Sequence, residues 1–131
     1  MSLAAAVSPP SSSRLVLVVD DDKLARNAVV DHLHELGYET VEAASGFEAI
    51  RVAAATKPSS IVIDGLLPNM HGLEVSRFIR AEKTTYAPRI IIMTAIYKNI
   101  RYRNEARLKY GIDHYLVKPV SRPALAAALE A

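Results

Sequence analysis

The chain contains no cysteine, and only two phenylalanines and five glycines among 131 residues. Without cysteine there can be no disulfide scaffold, no Cys-ligated zinc, no iron–sulfur cluster and no cysteine nucleophile. The absence also suits a reducing compartment. Long apolar runs are missing too. Leu15-Val16-Leu17-Val18-Val19 and Ile90-Ile91-Ile92-Met93 fall far short of the roughly 20 residues a membrane span needs. No charge of one sign dominates, and a formal net charge of +2 is too small to argue for a nucleic-acid partner. Met1 to Ser13 holds no Lys or Arg, and its apolar patch is too short for a secretion signal. With Pro9-Pro10 and Ser11-Ser12-Ser13, residues 1–13 read as a flexible leader, in part consistent with a cloning scar. The fold is therefore assigned to 14–131. No glycine-rich phosphate loop follows the first apolar run, which weakens a flavin or nucleotide reading. His32, His34, His71 and His114 are scattered without metal-ligand spacing.

Two patterns alternate from Arg14 onward. Continuous β-branched runs predict strands buried on both faces at 15–19, 61–63 and 90–93. Residues 38–43 alternate like a more exposed strand, and 115–117 predict a short fifth one. Between them Ala25, Val29, Leu33 and Leu36 recur at helical spacing, stopped by Gly37. Ser45 and Glu48 form a capping box for a helix reaching about Ala55. A third helix is expected over 73–80, with Leu73, Phe78 and Ile79 facing inward. A fourth is expected over 98–110, ending at Gly111. Pro123 starts the last. This is an α/β pattern, (βα)5: a doubly wound parallel five-stranded sheet with helices on both faces. In such open sheets ligands bind beyond the C-terminal ends of the strands.

Polar chemistry sits at four of those five ends. Strand 1 runs into Asp20-Asp21-Asp22, strand 3 into Asp64, strand 4 into Thr94, and strand 5 into Lys118-Pro119. Asp22 reads more simply as the N-cap of the first helix. Carboxylates gathered in one cleft repel unless protonated or bridged by a cation. Oxygen-only ligands without cysteine favour Mg²⁺. A hydroxyl and an ammonium are then surplus to metal binding. They make sense if a dianionic group arrives, Lys118 pairing with it and Thr94 hydrogen-bonding it. Asp64 can then serve as both ligand and nucleophile, forming an acyl phosphate.

On these residues the chain resembles the receiver domain of a two-component response regulator. The resemblance is carried by Val18-Val19-Asp20-Asp21, by Asp64 with Pro68 and Gly72, by Thr94-Ala95, and by Tyr115-Leu116-Val117-Lys118-Pro119. It covers 14–131 and implies the flavodoxin-like strand order 2-1-3-4-5. That order makes strand 2 an outer strand and brings the carboxylates of strands 1 and 3 together. The resemblance further implies that Asp64 accepts a phosphoryl group from a sensor histidine kinase or phosphotransfer protein. Asp21, Asp64 and the Leu66 carbonyl would ligate Mg²⁺, with Asp20 holding a water on the ion. Lys118 would pair with the phosphoryl oxygens, and Thr94 and Tyr115 would move as the switch. The Lys118–Pro119 peptide would be cis. A cytoplasmic location, a readout surface of helix 4, strand 5 and helix 5, and a homodimer through that surface are likewise implied. No output domain is recognised in the sequence, and direct nucleic-acid binding is not expected.

Four departures from the family pattern stand out. His71 occupies a place before Gly72 usually held by Asp or Asn. Gly65 directly follows Asp64 and loosens the acceptor loop. The interval from Thr94 to Lys118 is slightly long. Residues 98–110 carry a net charge of +4, which leaves −2 for the rest and makes the basic character local. That segment reads first as a solvated face, and Tyr97, Tyr102 and Tyr110 as packing residues. Leu66 and Ile96 offer no group to orient a water, so slow hydrolysis of the acyl phosphate is expected. A phosphatase using an Asp nucleophile would want a second Asp two residues on, where Leu66 stands. The alternative that remains is a pseudo-receiver acting only as a protein-interaction module.

Overall fold

The computed structural model describes residues 14–81, 86–94 and 110–130. Within them the order is β1 (Leu15–Val19), α1 (Lys23–Glu35), β2 (Glu39–Ala43), α2 (Gly46–Thr56), β3 (Ser60–Asp64), α3 (Gly72–Ala81), β4 (Arg89–Thr94), β5 (His114–Val117) and α4 (Arg122–Glu130). The leader 1–13 lies outside the described residues. So does the expected helix over 98–110, apart from Tyr110, and with it Tyr97, Tyr102 and Ile96.

The five strands form one parallel sheet in the order β2-β1-β3-β4-β5. Strand residues alternate between its two faces. Leu17, Val19, Ile61, Ile63, Ile90 and Ile92 meet α2 and α3 through Ala49, Ala53, Val75 and Ile79. Val16, Val18, Val62, Ile91 and Met93 meet α1 and α4 through Val29, Leu33, Leu125 and Leu129. Covering both faces is what makes β1, β3 and β4 continuous apolar runs; each such side chain fully buried contributes roughly 1.5–3 kcal/mol.

Local signals set the helix ends. The Asp22 carboxylate accepts from the backbone N–H groups of Leu24 and Ala25 at 3.0 and 3.4 Å, so it is the N-cap of α1. Gly37, at φ +91°, lets the chain turn after that helix. Ser45 caps α2 by accepting from Glu48 N–H at 3.1 Å. The returning Glu48 carboxylate takes the N–H of Ala44 at 2.7 Å, one residue earlier than a standard capping box. Ser121 plays the same part for α4, accepting from Ala124 N–H, which places Pro123 one residue inside the helix.

One packing expectation is overturned. Phe78 does not face inward: it is 54% exposed. The buried stripe of α3 is Gly72, Val75, Ser76 and Ile79, a run at spacings of three and four. Phe78 precedes Ile79 by one residue and so points about 100° away around the helix. Leu73 packs only partly against the core.

Candidate functional site: an acidic cleft at the C-terminal sheet edge

The β1 strand delivers Asp20 and Asp21, and its neighbour β3 delivers Asp64. The register pairs Val19 with Ile63, so Asp20 and Asp64 leave the sheet side by side. One ligand oxygen from each of Asp20, Asp21 and Asp64 can be chosen so that all lie within 4.8 Å of one another. Asp20 and Asp64 are buried, whereas Asp21 is exposed. Lys118 reaches in from the end of β5. Its Nζ donates to Asp20 Oδ2 at 2.7 Å and to Asp64 Oδ2 at 3.3 Å.

The remaining oxygens of the two buried carboxylates are held by backbone. Asp20 Oδ1 accepts from Asp22 N–H, and Asp64 Oδ1 accepts from Leu66 N–H, both at 3.0 Å. Fully partnered carboxylates stay fixed in place. Burial on its own would lower the pKa of the Lys118 ammonium. The hydrogen bond to Asp20 and the charges of Asp64 and Asp20 outweigh that, and hold it above the ordinary lysine value. Three clustered carboxylates, two of them bonded to one ammonium, still carry a formal local charge of −2. A dication of the hard, oxygen-seeking kind fits that donor set.

Thr94 closes β4, 4% exposed, and its carbonyl accepts the N–H of Lys118 at 2.7 Å. The ends of β4 and β5 are thereby tied together at the cleft. Tyr115 is half-buried on β5 and packs against the core cluster shared with α2 and α3. Leu66 projects a half-exposed side chain from the loop after Asp64. The Lys118–Pro119 peptide is cis.

Two further contacts shape the cleft. Arg26, one turn into α1, donates from Nη1 to the Asp20 carbonyl at 2.7 Å and from Nε to Glu42 at 2.8 Å. It ties the end of β1 to β2. Gly72 is pressed against the acceptor strand: a Cβ there would lie 2.5 Å from the Asp64 carbonyl oxygen. A glycine is required at that position because backbone meets backbone.

Residues 16–130 match the response regulator receiver domain family, and the chain belongs to it. It is 32% identical over 119 residues to the alkaline phosphatase synthesis transcriptional regulatory protein PhoP of Bacillus subtilis (strain 168). That match covers 91% of the chain and 48% of the relative. It is 33% identical over 118 residues to the phosphate regulon transcriptional regulatory protein PhoB of Pseudomonas aeruginosa, covering 90% and 51%. The chain thus spans about half the length of these relatives. Among solved structures, the chemotaxis protein CheY4 of Vibrio cholerae superposes with a TM-score of 0.80 at 28% identity, covering 88% of this chain and 95% of that one. The receiver domain of sensor histidine kinase PA1611 from Pseudomonas aeruginosa PAO1 carries a magnesium ion coordinated in its active-site cleft. It superposes with a TM-score of 0.77 at 30% identity, covering 89% and 94%. No described helix is long and apolar enough to cross a membrane.

Proposed function

We propose that residues 14–131 form a receiver that takes a phosphoryl group onto Asp64 from the phosphohistidine of a sensor kinase or phosphotransfer protein, in the cytoplasm. The observation that carries this is the pairing of one ammonium, Lys118, with two buried carboxylates from adjacent strands. In the transfer, the P–N bond to the histidine breaks and a P–O bond to the Asp64 carboxylate forms. The Leu66 N–H steadies Asp64 by holding its Oδ1. Lys118, 3.3 Å from the other oxygen, is positioned to pair with the phosphoryl oxygens. Thr94 supplies a hydroxyl at the neighbouring strand end. The side chains of Asp21 and Asp64 and the Leu66 carbonyl would hold Mg²⁺, with Asp20 holding a water on it; when bound, the ion supplies the positive charge that lets two anions meet. A phosphoryl group adds about −1.5 to −2 charge and three strong acceptors. Thr94 and Lys118 are joined through backbone, so a new bond to either biases the β4 and β5 loops together. Tyr115 lies on the second of those strands, the surface from which a partner or a second copy would read the state.

The test is a phosphoryl mimic. With beryllofluoride and Mg²⁺ present, the amide resonances of Asp64, Thr94 and Lys118 shift to a second saturable set. Unchanged spectra would favour a module that only binds partners. A companion measurement uses Mg²⁺ alone. At a hundred times its dissociation constant the ion raises unfolding stability by about 2.7 kcal/mol, since only the folded chain assembles the cluster. Asp21→Asn removes most of that gain. An equal gain in this variant would place the ion elsewhere.

A further inference from the structure

We propose that His71 is a positioning residue for the acceptor loop, its ring clipping the carbonyl of Gly65 next to Asp64. The inference rests on Asp64 being the acceptor. Two departures from the family pattern, Gly65 and His71, turn out to touch one another. His71 Nδ1 lies 3.3 Å from the Gly65 carbonyl oxygen. A carbonyl can only accept, so the ring donates from Nδ1–H. The same oxygen also takes the N–H of Gly72 at 3.2 Å. Residues 65 to 72 are thus closed into a loop by two donors converging on one atom.

Gly65 creates the need for a clip. A Cβ there would meet Ile92 Cγ2 at 3.4 Å and the Met93 carbonyl at 3.5 Å, ordinary contacts. No steric demand calls for glycine, so what it contributes is backbone freedom immediately after the nucleophile. The next residue, Leu66, supplies the N–H that holds Asp64 Oδ1. Freedom at Gly65 is therefore freedom in the group that aims the carboxylate. A donor from His71 removes part of it without putting a side chain at position 65.

His71 also stands directly before α3, where Val75 N–H bonds to its carbonyl at 3.1 Å. Glu74 takes the His71 backbone N–H at 3.2 Å, the returning half of a capping arrangement. The imidazole ring is turned onto Gly65 instead. Capping and clipping make opposite demands on a replacement. Asn and Asp both cap well, but only Asn presents an N–H where Nδ1 now lies. A carboxylate would face the carbonyl with lone pairs.

The experiment compares His71→Asn, His71→Asp and His71→Ala in two assays. In Mg²⁺-free protein, amide exchange at Leu66 and Gly72 quickens about fivefold in the Asp and Ala variants, the factor one exposed hydrogen bond supplies. His71→Asn keeps the original rates. Initial labelling by acetyl phosphate with Mg²⁺ falls by a similar factor in Asp and Ala and not in Asn. Equal behaviour of Asn and Asp would overturn the proposal in favour of a helix cap, as would three variants that all match the parent chain. A parent chain that takes no label at all would sink the acceptor reading and the positioning role with it. The exchange data would then still show whether the clip exists.

Discussion

Asp64→Asn ends covalent labelling by acetyl phosphate and leaves a folded protein. The amide carries no full negative charge, because its nitrogen lone pair is shared only into the C=O bond, so its oxygen is a far weaker nucleophile than a carboxylate. The replacement has the same shape. Its oxygen can still accept the Leu66 N–H that now meets Asp64 Oδ1 at 3.0 Å. Lys118 loses its 3.3 Å bond but keeps the shorter one to Asp20. Removing one of three crowded carboxylates also relieves repulsion. The change in stability should therefore stay within about 1 kcal/mol, the scale of one hydrogen bond. Intact-mass analysis after incubation with acetyl phosphate and Mg²⁺ makes the comparison. The parent chain gains one phosphoryl group and the variant gains none. A variant that still gained one would move the nucleophile to Asp20 or Asp21, which lie in the same cluster.

How much of this was legible in the sequence depends on what each feature needs. A strand covered on both faces must be apolar at every position, so β1, β3 and β4 announced themselves as continuous runs. The first polar residue after such a run marks the ligand edge, which is why Asp20, Asp64, Thr94 and Lys118 could be picked out. Their meeting followed once the strand order was known, and that order came from resemblance. Short-range chemistry was also readable, because Asp22 and Ser45 act on groups two or three residues away. Phe78 is apolar but lies about 100° around the helix from Ile79, so apolarity alone does not place it inward. Arg26 on the Asp20 carbonyl and His71 on the Gly65 carbonyl were not readable at all. Each joins a side chain to a backbone atom six residues away across a turn. No periodic pattern encodes such a contact.

Lys118→Met is the second large effect, and it falls on stability as well as labelling. In the parent chain this ammonium is the cation in hydrogen-bonding contact with Asp20, which is fully buried, and with Asp64, whose side chain is 10% exposed. Methionine fills similar volume without the charge. Two buried carboxylates then face one another and the nearby Asp21 without the ammonium that bonded both. Removing one partner of a buried pair costs about 3–5 kcal/mol. Because Lys118 keeps some contact with water, the lower end of that range is expected, read from urea unfolding at neutral pH. Saturating Mg²⁺ should recover much of the loss, since the dication supplies the charge that was removed. The pH dependence has a definite sign. Folding raises the Lys118 pKa above its ordinary value, so the folded state holds that proton more tightly than the unfolded chain. Its contribution is complete below the ordinary lysine value and fades as pH rises through the native one. The gap between parent and variant should be constant around neutrality and should close in alkali. A gap that is absent at neutral pH, or that widens as the lysine deprotonates, would mean that the ammonium does not hold these carboxylates in place.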